Sequence, residues 1–245
     1  MFGVGGGIVM VPLLIWFLAM DQRHAAATSL AAIVPGAIAG SVSYLANGHL
    51  DVLAGVLIAA GGIGGSLIGT RLLKILPLAV LRWGFVLLLL GIAVRMFLAV
   101  PERGGEISHE VLAGAGLVAL GLAMGIAAGL FGIGGGVIAV PVLIALFGAS
   151  DLVAKGTSLL AMIPTALTGT IANARNRMVR LTDGLIIGLA AAGASLIGSE
   201  VAFILPARLS SILFGCFVVA IAAQLTYRAI KLHRQARRER GDATD

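Results

Sequence analysis

The chain has 245 residues, of which 59% are hydrophobic and 11% charged, and its mean hydropathy is +1.07. Because a soluble domain carries roughly 25% charged residues, this composition excludes a protein whose surface faces only water. The formal charge of +6 does not indicate nucleic-acid binding, since many cationic residues form one cluster directly after the last hydrophobic segment.

Hydrophobic segments near the length of a membrane-spanning helix recur along the chain. Their apolar residues are continuous rather than alternating, which favours helices over a β-barrel. In chain order, we predict segments at 5–18, 24–46, 52–75, 78–99, 110–130, 134–148, 153–175, 181–204 and 206–229. The predicted fold class is an all-α polytopic membrane protein.

A motif near the start of the chain recurs 129 positions later with no gap. The block F-G-V-G-G-G at Phe2–Gly7, followed by V-P-L-L, returns as F-G-I-G-G-G at Phe131–Gly136, followed by V-P-V-L. The same offset maps Thr28-Ser29-Leu30 onto Thr157-Ser158-Leu159, Pro35 onto Pro164 and Ser66–Gly69 onto Ser195–Gly198. Two homologous halves are the simplest explanation.

The two halves differ at their starts. The second contains five segments and the first only the last four, which predicts that about twenty residues forming an opening helix precede Met1. An odd number of segments inverts one repeat relative to the other, so we predict two inverted-topology repeats of about five segments each. The predicted bounds are 1–101 for the first repeat, 102–109 for an extracytoplasmic linker, 110–230 for the second repeat and 231–245 for a basic tail.

The distribution of positive charge predicts the orientation of the chain. If each segment reverses direction and the basic tail is cytoplasmic, 13 lysines and arginines lie inside and four outside. This bias follows the positive-inside rule, and the tail is expected to contact anionic lipid. The tail cations are Arg228, Lys231, Arg234, Arg237, Arg238 and Arg240.

Three consecutive glycines end the motif of each half and are the main candidates for a substrate site. Such runs are costly to keep helical, and non-helical backbone inside a bilayer must be buried in protein or line a wet cavity. A helix that starts just after them presents free amides and its positive dipole end, which attract an anion. The candidates are Gly5, Gly6 and Gly7 in the first half and Gly134, Gly135 and Gly136 in the second.

The alternative role of glycine in a membrane helix is close packing of two backbones. We assign that role to the glycines and alanines that recur at four-residue spacing. They are Gly61, Gly65 and Gly69, their counterparts Ala190, Ala194 and Gly198, and the separate series Gly121, Gly125 and Gly129.

Further candidates lie close to the glycine motifs in each half. The hydroxyls of Thr28, Ser29, Thr157 and Ser158 could line the same cavity or bond back to their own helix. Lys155 could attract the anion or extend to the membrane interface. Helix breaks are expected at Pro12, Pro35, Pro141 and Pro164. Asn47 and Asn176 are expected to cap helices.

Enzyme chemistry is not indicated. The sequence contains no HExxH or GxSxG motif and no histidine near the centre of a predicted helix. We therefore predict no catalytic residue, no metal ligand and no cofactor.

The repeated block F-G-x-G-G-G-x-x-x-V-P-x-L, with the T-S-L and proline that follow, resembles the sulfite exporter TauE/SafE family of membrane transporters. The likeness covers nearly the whole chain. It implies transport of small anions such as sulfite, sulfoacetate and related sulfonates across the bacterial cytoplasmic membrane. The matching motif positions are Gly5, Gly6, Gly7, Pro12, Gly134, Gly135, Gly136 and Pro141.

The resulting hypothesis is a secondary transporter of small anions, embedded as a multi-pass protein in a bacterial cell membrane. Two alternatives stay open at this point, a non-transporting scaffold or accessory subunit and an anion channel. The expected partners are a small anionic substrate and the lipid bilayer, without nucleic acid, and homo-oligomerisation is left open.

Overall fold

A computed structural model of the chain describes residues 2–98 and 111–206, together with individual positions between 208 and 227. The described residues form helices and contain no β-strand. Eight helices have defined bounds in this part of the chain: α1 Gly7–Phe17, α2 Gln22–Ala46, α3 Val52–Ile75, α4 Leu78–Leu98, α5 Val111–Phe131, α6 Gly136–Phe147, α7 Asp151–Arg175 and α8 Leu181–Ile204.

These bounds agree with the first eight predicted segments to within a few residues. The predicted linker 102–109 and basic tail 231–245 lie outside the described residues, as does much of the predicted segment 206–229.

Five helices in the described part of the chain are long and apolar enough to cross a membrane. They are Gln22–Ala46, Val52–Ile75, Ala113–Phe131, Asp151–Arg175 and Leu181–Ile204. Large apolar side chains are exposed on these helices, among them Ile75 and Ile204. In water such a surface would be unfavourable, and in a bilayer it contacts acyl chains.

Two helices are too short to cross. At a rise of about 1.5 Å per residue, α1 and α6 extend only about 16–18 Å, roughly half of a 30 Å hydrocarbon core. Each of these helices begins at a glycine motif. If the C-terminal end of such a helix lies near a membrane surface, its glycine motif lies near the middle of the bilayer.

Polar side chains set the ends of the long helices. The Asp21 carboxylate accepts bonds of 2.9 Å from the Arg23 and His24 amides at the start of α2. Partial burial raises the pKa of Asp21, but the hydrogen bonds and charge of His24 and the Arg23 amide outweigh it, so the net pKa is lowered. Asn47 and Asn176 cap the ends of α2 and α7, as expected.

The four prolines correct one prediction. Pro12, Pro35, Pro141 and Pro164 lie inside continuous helices, namely α1, α2, α6 and α7. The expected helix breaks at these prolines are therefore wrong. Each ring removes a single backbone donor, and a helix packed against neighbours can continue through that loss.

Helices α3 and α5 pack with their backbones in contact. A methyl group placed on Gly61 would meet the Val118 carbonyl oxygen, and one placed on Gly121 would meet the Ile58 carbonyl oxygen. The remaining glycines of both series meet backbone atoms in the same way. This confirms the packing role predicted for Gly61, Gly65, Gly69, Gly121, Gly125 and Gly129.

Contacts between the two halves occur in matched pairs at the offset of 129. Helix α2 packs on α8, and its counterpart α7 packs on α3, the counterpart of α8. A methyl group on Gly40 would meet the Ser195 hydroxyl at 2.7 Å, and one on Gly169 would meet the Ser66 hydroxyl at 2.6 Å.

Candidate functional site

Both glycine motifs are unwound. Gly5 and Gly6 have φ values of +67° and +77°, and Gly134 and Gly135 have +72° and +80°. This left-handed region is disfavoured for residues that carry a Cβ and ends a right-handed helix. Helices α1 and α6 begin directly afterwards, at Gly7 and Gly136. The predicted helix breaks at the glycine runs are confirmed.

Each break leaves amides without an intrahelical acceptor. The first backbone hydrogen bonds of α1 are donated by the amides of Val9 and Met10 to the Gly6 carbonyl, at 3.0 and 3.1 Å. The amides of Gly7 and Ile8 lie before these bonds and take no part in the hydrogen bonding within the helix. Helix α6 repeats this arrangement at Gly136 and Val137. Within the described residues these four amides donate to no protein acceptor. Such groups, at the positive end of a helix dipole, bind anions.

The structure brings the two motifs into contact. A methyl group on Gly7 would lie 2.6 Å from the Ile133 Cα and 2.7 Å from the Gly132 carbonyl oxygen. The reciprocal contact joins Gly136 to the carbonyl oxygen of Gly3, the counterpart of Gly132. Two helix N-termini, one from each half, therefore meet at one place.

The serine hydroxyls hold this junction together. Ser29 Oγ donates to the Gly132 carbonyl at 2.7 Å, and Ser158 Oγ donates to the Gly3 carbonyl at 3.2 Å. Each serine thus binds the glycine motif of the opposite half. Their hydroxyl protons are used in these bonds and not in bonds to their own helices.

The neighbouring threonines also bridge the halves. Thr28 Oγ1 accepts the Arg180 amide at 3.2 Å, and Thr157 Oγ1 accepts the Asp51 amide at 3.0 Å. Like the serines, both threonines are fully buried. In this conformation all four hydroxyls position backbone, and none bonds back to the preceding turn of its own helix as the alternative predicted.

Lys155 is buried and paired rather than extended to the membrane interface. Its Nζ lies 2.6 Å from Asp151 Oδ2, and the two side chains are only 4% and 3% exposed. A methyl group placed on Gly3 would lie 2.8 Å from the Lys155 Cα. Lys155 therefore packs behind the first glycine motif, with its charge compensated by Asp151.

A cavity of about 490 Å³ adjoins the first motif. Gly5 and Gly6 line it, whereas Lys155 and the four hydroxyl residues do not. Its lining is mainly apolar, and among the described residues no charged side chain contributes. The part of the wall that sequence reasoning missed comes from α8 and comprises Ile187, Ala190, Ala191, Ala194, Ser195 and Gly198.

The packing role predicted for the α8 residues stays a prediction, because they also belong to the cavity wall. Ala190, Ala194 and Gly198 line the cavity. The sequence relates these residues only to their counterparts on α3, at the offset of 129. Those counterparts are covered by α5, so the comparison did not indicate a cavity wall on α8. No group of three or more His, Cys, Asp or Glu side chains that could hold a metal occurs in the described part of the chain.

Comparison with known proteins supplies the family. The chain matches the family described as sulfite exporter TauE/SafE over residues 1–154 and 117–244. A "Probable membrane transporter protein" of Xylella fastidiosa strain Temecula1 is 27% identical, over 94% of this chain and 90% of the relative. The "Probable membrane transporter protein YunE" of Bacillus subtilis strain 168 is 24% identical, over 94% and 93%.

No solved structure is significantly similar to the chain. The family match covers nearly all residues, and the curated relatives are matched over most of their length. The chain therefore belongs to the sulfite exporter TauE/SafE family, whose members are membrane transporters and not enzymes.

Proposed function

We propose that this protein is a secondary transporter of small anions, with sulfite, sulfonates or related organosulfur anions as substrates. The observation that carries the proposal is the junction of two helix N-termini, whose amides at Gly7, Ile8, Gly136 and Val137 lack protein acceptors among the described residues. The family description supports the substrate class.

The strength of the proposed site follows from the helix dipoles. Each helix N-terminus is equivalent to roughly half a positive charge, so two together balance about one negative charge. Neutral amides bind an anion more weakly than a guanidinium or ammonium group does. A carrier must release its substrate on each cycle, and the absence of a charged side chain from the described cavity lining suits that requirement.

Alternating access would require the two halves to move relative to one another. The matched contacts at the offset of 129 support a pseudo-two-fold axis between inverted repeats, as in other secondary transporters. The four hydroxyl bonds cross between the halves and would break and re-form as the halves rock. The positive charges favour a cytoplasmic C-terminus.

Flux in proteoliposomes tests the proposed site. Gly6→Ala places a side chain at a positive φ where only the flexible Met10 side chain is close, at 3.2 Å, so transport of radiolabelled sulfite should fall at least tenfold. The matched control is Gly48→Ala, because Gly48 has φ +71° and no neighbour within 4 Å.

The control separates an effect on the proposed site from an effect of backbone strain, since both substitutions place alanine in the left-handed region. Equal flux from the two variants, with equal membrane insertion, would contradict the proposal. Trans-stimulation of sulfite efflux by external sulfite distinguishes a carrier from a channel, and no flux from the unmodified protein would favour a scaffold.

A further inference from the structure

Two buried polar side chains lie at matching positions of the two halves. Tyr44 of α2 and Asn173 of α7 are related by the offset of 129, and both are 0% exposed. Among the described residues, the Tyr44 hydroxyl and both amide atoms of Asn173 have no hydrogen-bond partner. Burial of a polar group without a partner is unfavourable, so these groups require an explanation.

The two side chains lie at opposite ends of one helix pair. A methyl group on Gly169 of α7 would lie 3.0 Å from Leu30 of α2, and one on Gly40 of α2 would lie 2.9 Å from Leu159 of α7. The contacting positions on α7 move back as those on α2 advance, so the helices are antiparallel. Both polar side chains lie in the last turn of their helices. In this register about 18 residues, or roughly 27 Å, separate them along the pair, close to the roughly 30 Å thickness of a hydrocarbon core.

Tyr44 is enclosed beside the first glycine motif. A methyl group on Gly156 would lie 2.8 Å from the Tyr44 Cβ, and the adjacent Lys155 packs against Gly3. The ring of Phe203 on α8 meets the Tyr44 ring edge-on, with centroids 5.1 Å apart. Helices α7 and α8 thus cover the tyrosine in this conformation.

Asn173 is enclosed beside the second glycine motif. The antiparallel register places it opposite Ala26, whose backbone a methyl group on Gly132 would meet. Two further buried hydroxyls, those of Thr170 and Ser66, also have no hydrogen-bond partner in the described part of the chain. Thr170 lies one turn before Asn173, and Ser66 faces α7 at the same level. A group of unpartnered polar atoms therefore lies at this end of the helix pair.

We propose that Tyr44 and Asn173 line the two outer ends of the transport path, and that each hydrogen-bonds the anion and its hydration water when its own end opens. This inference rests on the proposed function. Polar side chains inside membrane helices mark substrate paths, and opening one end supplies the partners that the covered side chain lacks. The antiparallel helices assign the two side chains to opposite membrane faces, as alternating access requires.

Thiol labelling from each side of the membrane tests this placement. Tyr44→Cys and Asn173→Cys are introduced singly into a Cys216→Ser background, and sealed vesicles are treated from one side or the other with a membrane-impermeant methanethiosulfonate. The two variants should react from opposite sides. Reaction of both from the same side, or of neither in correctly inserted protein, would overturn the proposal.

Thr165→Cys is the matched control for the labelling. Thr165 is fully buried on the same helix as Asn173, but its hydroxyl already donates to the Ala161 carbonyl at 2.8 Å. This variant should react from neither side. Reaction as fast as that of Asn173→Cys would contradict a path that passes specifically along Asn173.

Apolar substitutions supply a readout that a purely structural role would not produce. Tyr44→Phe and Asn173→Leu remove the unpartnered atoms at similar volume, so each should raise the melting temperature in detergent by a few degrees. The same variants should lower sulfite flux roughly fivefold or more, because the open states lose a hydrogen bond that the covered state never makes. Thr165→Val, which loses a hydrogen bond present in the structure, should have a slightly lower melting temperature and unchanged flux.

Two results with the apolar variants would overturn the proposal. Lower melting temperatures for Tyr44→Phe and Asn173→Leu would show that their polar atoms have partners in the covered state. Unchanged flux would show that both side chains lie off the path.

Failure of this inference is distinct from failure of the proposed function. Labelling from opposite sides requires only that the two ends open in turn, whereas the proposed function requires flux of sulfite or a sulfonate through the unmodified protein. Flux without labelling from opposite sides would refute the assignment of Tyr44 and Asn173 alone. Labelling from opposite sides without flux would support the assignment and refute the proposed substrates.

Discussion

Asp151 and Lys155 lie one helical turn apart on α7 and compensate each other's charge away from water. Their spacing is that of a helical ion pair, which is visible in the sequence, but their burial depends on the packing of the first glycine motif against α7. A buried pair contributes little net stability, yet loss of one partner leaves a buried, uncompensated charge.

Asp151→Asn should therefore lower the stability of the protein by about 3–5 kcal/mol, measured as a fall in melting temperature in detergent. The double variant Asp151→Asn with Lys155→Met should recover most of that loss. Asp183→Asn is the control, because Asp183 lies 3.8 Å from Arg180 in an exposed pair whose loss costs about 0–1 kcal/mol. A destabilised double variant would show that Lys155 is needed for more than this pairing.

At the level of elements, the helices and the glycine breaks could be predicted from the sequence. Segment length and continuous hydrophobicity locate the helices, and Gly5–Gly7 and Gly134–Gly136 mark breaks because consecutive glycines weaken a helix on every side. The prediction of helix breaks at the prolines was wrong, because Pro35 and Pro164 lie inside helices that packing keeps continuous. The cavity wall on α8 could not be predicted, because its exposure depends on which neighbour covers it.

The α3–α5 interface allows two adjacent glycines to be compared. Gly65→Ala would drive a methyl group into the Leu122 carbonyl and should lower stability by about 1–3 kcal/mol. Gly64→Ala meets only the Leu122 Cδ1 at 3.9 Å, so its better helix propensity should leave stability equal or higher. Melting temperatures in detergent check both, and equal losses would contradict backbone contact at this interface.

In the whole molecule, the two halves meet at the junction of the two glycine motifs. Four hydroxyl bonds and two glycine contacts cross between them, each with a counterpart at the same offset. The junction combines two helix N-termini, whose positive dipole ends would stabilise a bound anion.

Selenite, a heavier analogue of sulfite, tests this claim most directly. Anomalous diffraction from crystals grown with selenite should show one peak between the amides of Gly7 and Gly136, weakened by excess sulfite. A peak beside Lys155 and Asp151, or one confined to the protein surface, would contradict anion binding at the glycine breaks.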